Sequence, residues 1–478
     1  MNRREFLKTL GAGSLATAAV AVGCAPNNQT KAEGLTLGEV PVGQMSMREN
    51  LHGEKVSLLG YGCMRFPTID GQSGRDQDQE LDQEAINQLV DYAIEHGVNL
   101  FDTAPPYCKG HSEHAVGIAL SRHSRDKFYV STKLSNFSPD QWSREESMKL
   151  YENSKKELQV DHLDYYMLHG IGMSRPDDGL DAMECFKQRF IDNGMLDFLL
   201  EEREKGHIHN LGFSYHGDVT VFDYLLDNND KYHWDHVLIQ HNYVDWKHAK
   251  KMNERNTPSE YLYSRLEALN IPVFVMEPLL GGQLANLPQH CAEMLKQQNP
   301  DVSIASWAFR FAGNQPRILT VLSGMTYMEH LQDNIRTYSP HKPLDAEELA
   351  LLKDIADVYA GVSEDGDNLR IIPCTGCKYC MPCPYGIDIP AIFAHYNKCL
   401  NEGLVMYEKE GFSSKEKKLY RQARRAFLVG YDRAVPSYRQ ADHCIGCNKC
   451  SICPQQINIP EQMTRINDYV EELKQSTL

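Results

Sequence analysis

The chain has 478 residues, 42% of them hydrophobic, and a net charge of −16. That length admits two or more domains around a large core, and the acidic balance, with no broad basic face, argues against a nucleic-acid backbone as partner. Eight of the 14 cysteines lie in two compact quartets, a pattern that suits cofactor ligation better than a disulfide framework.

At the N-terminus Arg3-Arg4 is followed by Glu5-Phe6-Leu7-Lys8 and a weakly apolar run rich in Ala and Gly. The run is too short for an ordinary spanning helix. It resembles a twin-arginine signal, which implies export of the folded protein to the periplasm or to an anchored place at the cell envelope. Ala21-Val22-Gly23-Cys24 is similar to a lipoprotein cleavage box, and two outcomes stay open: a lipid anchor on Cys24, or cleavage after Ala21. Residues 1–24 are thus read as a signal and the polar, aperiodic 25–50 as a tether.

Strand and helix patterns then alternate. Apolar runs predict strands at 56–61, 98–101, 128–132, 163–168, 210–213, 236–239, 273–276 and 318–322. Between them, 81–96 places Ile86, Leu89, Val90, Ala93 and Ile94 on one helix face before the stop at Gly97, and Ser143 with Glu146 is spaced as a capping box. Eight strands alternating with helices predict a (β/α)8 TIM barrel, an α/β fold whose chemistry sits at the C-terminal ends of its strands.

One strand end carries two reactive groups. Asp102 closes the 98–101 run, Tyr107 follows in the same loop, and Ser112 stands before a helical pattern bearing Ala115, Val116 and Ala119. Phe101-Asp102-Thr103-Ala104, Tyr107, Gly110, Ser112 and Glu113 resemble the form FDTA-x-x-Y-x-x-G-x-SE of the aldo-keto reductases. Lys133, closing FYVSTK, and His169, closing LDYYMLH, follow in that family's order, so the resemblance spans about residues 51–340. It implies that a small carbonyl or alcohol, sugar-like or otherwise polar, is the substrate. Tyr107 is then the proton donor, Lys133 the cation that eases ionisation of a phenol whose free pKa is about 10, Asp102 the partner holding that lysine, and His169 the group that orients the substrate oxygen.

The resemblance also implies a nicotinamide cofactor, NAD(P)(H), with matching positions at Ser214, Gln240, Pro278, Leu279, Gly281, Ser323, Gly324, Met325 and Asn334. Departures accompany them: Tyr215 stands for a common asparagine, Met276 for a ring-stacking tyrosine, and Tyr327 and His330 for the cations often placed around a 2′-phosphate. These residues do not distinguish NADH from NADPH. Cys63 and Cys108 read as small pocket-wall residues, and Cys185, Cys291 and Cys399 as packing residues.

Residues 345–359 look helical and connect, within 341–372, to a C-terminal domain over 373–478. There Cys374, Cys377, Cys380 and Cys383-Pro384 form one quartet, and Cys444, Cys447, Cys450 and Cys453-Pro454 the other. Thiolates spaced in this way can converge on an iron–sulfur cube, and the trailing proline resembles two-cluster ferredoxins, in which the fourth cysteine ligates the opposite cluster. Two [4Fe-4S] clusters in a small, mostly helical ferredoxin-like domain are the expectation, with two residues rather than three before each fourth cysteine as a departure and structural zinc as the rival. The basic stretch KEKKLYRQARRAF reads as a solvated helix face, with docking of a redox partner protein as the alternative.

Overall fold

Runs of Val, Ile, Leu and aromatic residues that are apolar on both sides become strands buried on both faces, which is the environment of a parallel barrel wrapped by helices. The computed structural model describes residues 39–71, 80–175, 178–252, 256–360, 371–409 and 411–478. The signal and lipidation readings, Cys24 included, lie outside these residues. A hairpin of β1 (Met47–Glu49) and β2 (Lys55–Ser57) precedes β3 (Leu59–Gly62), β4 (Leu100–Asp102), β5 (Tyr129–Leu134), β6 (Leu163–Ile171), β7 (Ile208–Tyr215), β8 (His236–Gln240), β9 (Val273–Met276) and β10 (Ile318–Ser323). Strands β3 to β10 close in chain order into an eight-stranded barrel, with β10 pairing parallel to β3.

The run expected as one strand at 56–61 is two elements. Ser57 breaks it, accepting the Asn99 backbone N–H on its Oγ at 3.0 Å and donating that hydroxyl to Leu59 O at 2.7 Å. The hairpin plugs one end of the barrel, where the Arg48 guanidinium donates to the carbonyls of Gly313 and Gln315, each at 2.6 Å. Periodicity sees a continuous apolar run, and only the change of partner, from β1 to the barrel strands β10 and β4, separates its halves.

The helix Gln83–Glu95 begins at Asp82, whose carboxylate accepts the Ala85 N–H at 3.0 Å, and buries Ile86, Leu89, Val90 and Ala93. Gly97, at φ 89°, ends it in a conformation that a side chain would strain. Ser143 caps the Glu146 N–H, while the Glu146 carboxylate turns to Lys149 at 2.7 Å, so half of the expected box forms. Inside the barrel Leu100, Tyr165, Met167, Leu238, Phe274 and Leu322 pack as one cluster.

The helix Ala346–Tyr359 is no free connector. Its Leu352, Ile355, Ala356 and Tyr359 are buried with Leu284 and Trp307 in an apolar cluster on the barrel flank. Beyond it, the helices Ile389–Asn401, Ser414–Ala434 and Ile459–Gln475 share a core that includes Phe393, Tyr396, Phe427, Ile466 and Leu473. The basic stretch lies on the second of these, with Tyr420, Ala423 and Phe427 buried and Lys417, Lys418 and Arg421 exposed. Each quartet runs into its helix through the same Pro-Xaa-Xaa-Ile-Xaa-Ile-Pro wording, Pro384 to Pro390 and Pro454 to Pro460. Left-handed backbone recurs at matching places: Gly376 and Gly446, Lys378 and Asn448, Gly386 and Gln456. Among the described residues no helix is long and apolar enough to cross a membrane.

Buried histidines give this fold an acid limit. Burial holds the pKa of His236 at about 3, that of His241 at about 3, and those of His216 and His341 at about 4. These folded values lie below the unfolded value of about 6.5, so the unfolded chain binds more protons once the pH drops below it. Stability is therefore complete above that pH and falls toward pH 4, by up to about 1.4 kcal/mol per pH unit for each ring. Denaturation midpoints between pH 7.5 and 4.5 will show this decline. His236→Phe, which keeps a ring against Tyr165 and Phe274, will flatten the slope by about one proton; an unchanged slope means that His236 is not held neutral.

Candidate active site

Asp102 ends β4, Lys133 lies near the end of β5, and His169 near the end of β6, so the barrel aims all three side chains at its C-terminal mouth. Tyr107 opens a short 3-10 turn, Tyr107–Gly110, in which Cys108, Lys109 and Gly110 all have positive φ. Such backbone persists only where its surroundings enforce it. Ser112 is the enforcing residue here: its hydroxyl donates to Cys63 O at 2.7 Å and lies 2.8 Å from Thr103 Oγ1. Glu113 adds to this by accepting from Thr132 Oγ1 at 2.6 Å.

The Lys133 ammonium is fully buried. It donates to Asp102 Oδ1 at 2.6 Å and to Thr103 O at 2.7 Å, and Ser131 occupies Asp102 Oδ2 at 2.8 Å. Removing one partner from such a pair leaves an uncompensated charge in the core. The same ammonium stands 4.8 Å from the centre of the Tyr107 ring, and the Tyr107 and His169 rings meet edge-on at 6.1 Å. Burial first, then the charges of Lys133 and Arg189, holds the His169 pKa well below the ordinary imidazole value, so this ring is neutral at physiological pH. Its Nδ1 lies 2.5 Å from Ser135 Oγ.

Ser135 and Arg189 escaped the sequence reading. Arg189 sits in a π-helical turn, Lys187–Ile191, and its buried guanidinium donates to His169 O at 2.6 Å and to Gly170 O at 3.2 Å. Arg189 Nε also donates to Asn136 O and Oδ1, each at 3.2 Å, and partners 20 and 53 residues away in the chain leave no sequence spacing from which these contacts could be read. Burial holds the thiol pKa of Cys63 well above its ordinary value, and Cys108 is buried against the carbonyls of Cys63 and Met64. Burial likewise raises Cys185, and pushes Cys291 and Cys399 up to about 12, as befits packing residues.

In the C-terminal domain the two quartets interleave. Cys453 is in electrostatic contact with Cys377 and Cys374, and Cys450 with Cys444, Cys447 and Cys383. Cys380, Cys383, Cys444, Cys447 and Cys450 line one cleft, backed by Ile389 and Met463. The Gly376 amide points at Cys374 Sγ at 3.4 Å. Closely grouped thiols in an apolar cleft fit a thiolate-held metal cluster. At the opposite end of the barrel His162, Asp164 and His209 bring ligand atoms within 4.8 Å of one another. Arg125 already supplies a cation there, donating to His162 Nε2 at 3.0 Å and to Asp164 Oδ2 at 2.6 Å.

Residues 58–357 match the model described as the aldo/keto reductase family. The chain belongs to that family. This aldo/keto reductase is 24% identical over 335 residues to an uncharacterized oxidoreductase, YqkF, of Bacillus subtilis, covering 64% of the chain and 94% of that protein. It is 26% identical over 354 residues to the protein tas of Escherichia coli, covering 64% and 95%. Among solved structures, a Bombyx mori aldo-keto reductase in complex with NADP is 20% identical with a TM-score of 0.48, covering 65% of the chain and 93% of that protein. The chain is an oxidoreductase of this family, on an eight-stranded barrel.

The positions implied for a nicotinamide dinucleotide divide in two. At the ring end, Gln240, Met276, His216, Asp245, Tyr215 and Pro454 line a cleft. Two buried atoms there, His216 Nδ1 and Asp245 Oδ1, have no hydrogen-bond partner among the described residues. Gln240 donates to Asp245 Oδ2 at 2.5 Å, and Ser214 Oγ accepts the Gly170 N–H at 2.8 Å. Those groups fit a carboxamide. At the phosphate end the Gly281 N–H donates to the Glu277 carboxylate at 2.5 Å, the Gly282 N–H to Leu279 O at 2.9 Å, and Asn334 to Ser323 Oγ at 2.9 Å. Pro278 and Met325 are buried beneath these loops, and the Arg65 side chain lies across exposed Gly324. With the Gly281 and Gly282 amides spent and the Glu277 carboxylate beside them, the loop after β9 does not fit a pyrophosphate.

Proposed function

We propose that the barrel mouth interconverts the carbonyl and alcohol of a small polar substrate, with Tyr107 as acid and base for the proton; a nicotinamide held at Ser214 and Gln240 would supply or take up the hydride. The observation that carries this reading is the buried Lys133 ammonium, tied to Asp102 and standing 4.8 Å from the centre of the Tyr107 ring. A positive charge there favours the phenolate, so Tyr107 can release its proton to a carbonyl oxygen and recover it from an alcohol. His169, neutral and held through Nδ1 by Ser135, keeps Nε2 for the substrate oxygen.

The proposal includes two [4Fe-4S] clusters, one on Cys374, Cys377, Cys380 and Cys453, the other on Cys444, Cys447, Cys450 and Cys383. Such clusters carry single electrons and call for a redox partner protein. Arg3-Arg4 and the run ending at Cys24 support export by the twin-arginine route and a place at the cell envelope. A second reading, an electron-transfer or scaffold protein whose barrel does not use nicotinamide, is favoured by one observation: the spent phosphate end beside Gly281.

The test is turnover of small aldehydes, ketones and sugars by the iron-loaded protein, with NAD(P)H and with artificial one-electron donors in parallel, scored by the alcohol formed. Carbonyl–alcohol conversion with either donor supports the first reading. Its absence across the panel, with full iron, leaves the second.

A further inference from the structure

The C-terminal domain rests on the barrel through the segment that carries its first quartet. Gln283, in the loop after β9, donates to Cys374 O at 2.9 Å and accepts from the Tyr359 hydroxyl at 2.9 Å. Arg65 donates to Gly281 O and to Thr375 O, each at 3.3 Å. Gly281, at φ 69°, is pressed so closely that a Cβ on it would stand 2.3 Å from Thr375 Cα. Farther round the mouth the Tyr379 ring meets Phe137 at 6.4 Å, and the Gln456 amide comes against Gly217.

From this contact we infer that the segment 371–380 occupies the phosphate seat of the dinucleotide site, so that docking of the cysteine-rich domain and binding of a dinucleotide exclude each other. The inference rests on the family's placing of the dinucleotide at these loops. A pyrophosphate is held by backbone N–H groups and a cation. Here Glu277 takes the Gly281 amide, Arg65 bonds to two carbonyls, and the Thr375 backbone covers the face of Gly281. The loop can serve one occupant at a time. Because such coupling is reciprocal, whatever loosens the segment opens the seat, and a bound dinucleotide loosens the segment.

The test measures NADPH and NADH binding to the full-length, iron-loaded protein by fluorescence titration, with hydrogen exchange read at 371–380. Wild type is expected to bind either nucleotide with a Kd above about 1 mM. Gln283→Ala, which removes the bond to Cys374 O, is expected to bind about tenfold more tightly, the worth of one to two net hydrogen bonds. Nucleotide should then raise exchange at 371–380. Gly281→Ala, acting from the barrel side, should raise that exchange with no nucleotide present. Equal affinities for wild type and Gln283→Ala, including no binding by either, overturn the inference, as does micromolar binding by wild type with unchanged exchange. Carbonyl turnover, scored separately, reports on the proposed function and not on this exclusion.

Discussion

Tyr107→Phe will lower turnover by about two to four orders of magnitude, the usual worth of a positioned acid. The substitution keeps the ring that stands over Lys133 and meets His169 edge-on, so the mouth retains its shape and loses one proton carrier. Substrate affinity should change little, which places the loss in kcat. Lys133→Met makes a contrast, because it strips the buried Asp102 carboxylate of its partner and is expected to destabilise the fold by about 3–5 kcal/mol besides lowering turnover. Turnover of Tyr107→Phe within about threefold of wild type would remove the residue from the chemistry.

Iron content will report the thiol assignment. The full chain should hold about eight irons, and Cys377→Ala alone should bring this to about four by emptying one cube. Crossed ligation makes the pairs non-additive. Cys377→Ala with Cys453→Ala should still hold about four irons, because both changes fall on one cluster, whereas Cys377→Ala with Cys383→Ala should hold almost none. Cys185→Ala, in a buried packing position, should leave iron and the visible absorbance unchanged. The reverse pattern among the pairs would establish uncrossed clusters, and zinc in place of iron would end the iron–sulfur reading. Because Cys453 and its neighbours also pack the core of the C-terminal domain, loss of both clusters should melt that domain before the barrel.

The strands and the placing of Asp102, Tyr107, Lys133 and His169 at their ends were legible because their signals are local. A strand buried on both faces is an apolar run, and Asp102, Lys133 and His169 each close or nearly close one, so topology brings them to a single mouth once eight such runs alternate with helices. The wording shared by 384–390 and 454–460 is equally local and marks how each quartet enters its helix. Ser57, by contrast, divides a run that periodicity treats as whole.

Other decisions belong to the tertiary structure alone. Arg189 reaches His169 from a π-helical turn, whose local geometry no hydrophobic period announces. The nearness of Cys453 to Cys374 and Cys377 depends on tertiary packing, since spacing alone describes each quartet and not how the two lie together. The sequence by itself determined an aldo/keto reductase barrel with Asp102, Lys133 and His169 at its strand ends, and a C-terminal stretch of two cysteine quartets. Only the fold brought Thr375 onto Gly281 and Arg65 between them. The bond from Arg65 to Thr375 joins residues 310 apart in the chain, and that from Gln283 to Cys374 residues 91 apart. Such contacts arise from how two finished domains fit, and local propensity carries no record of that fit.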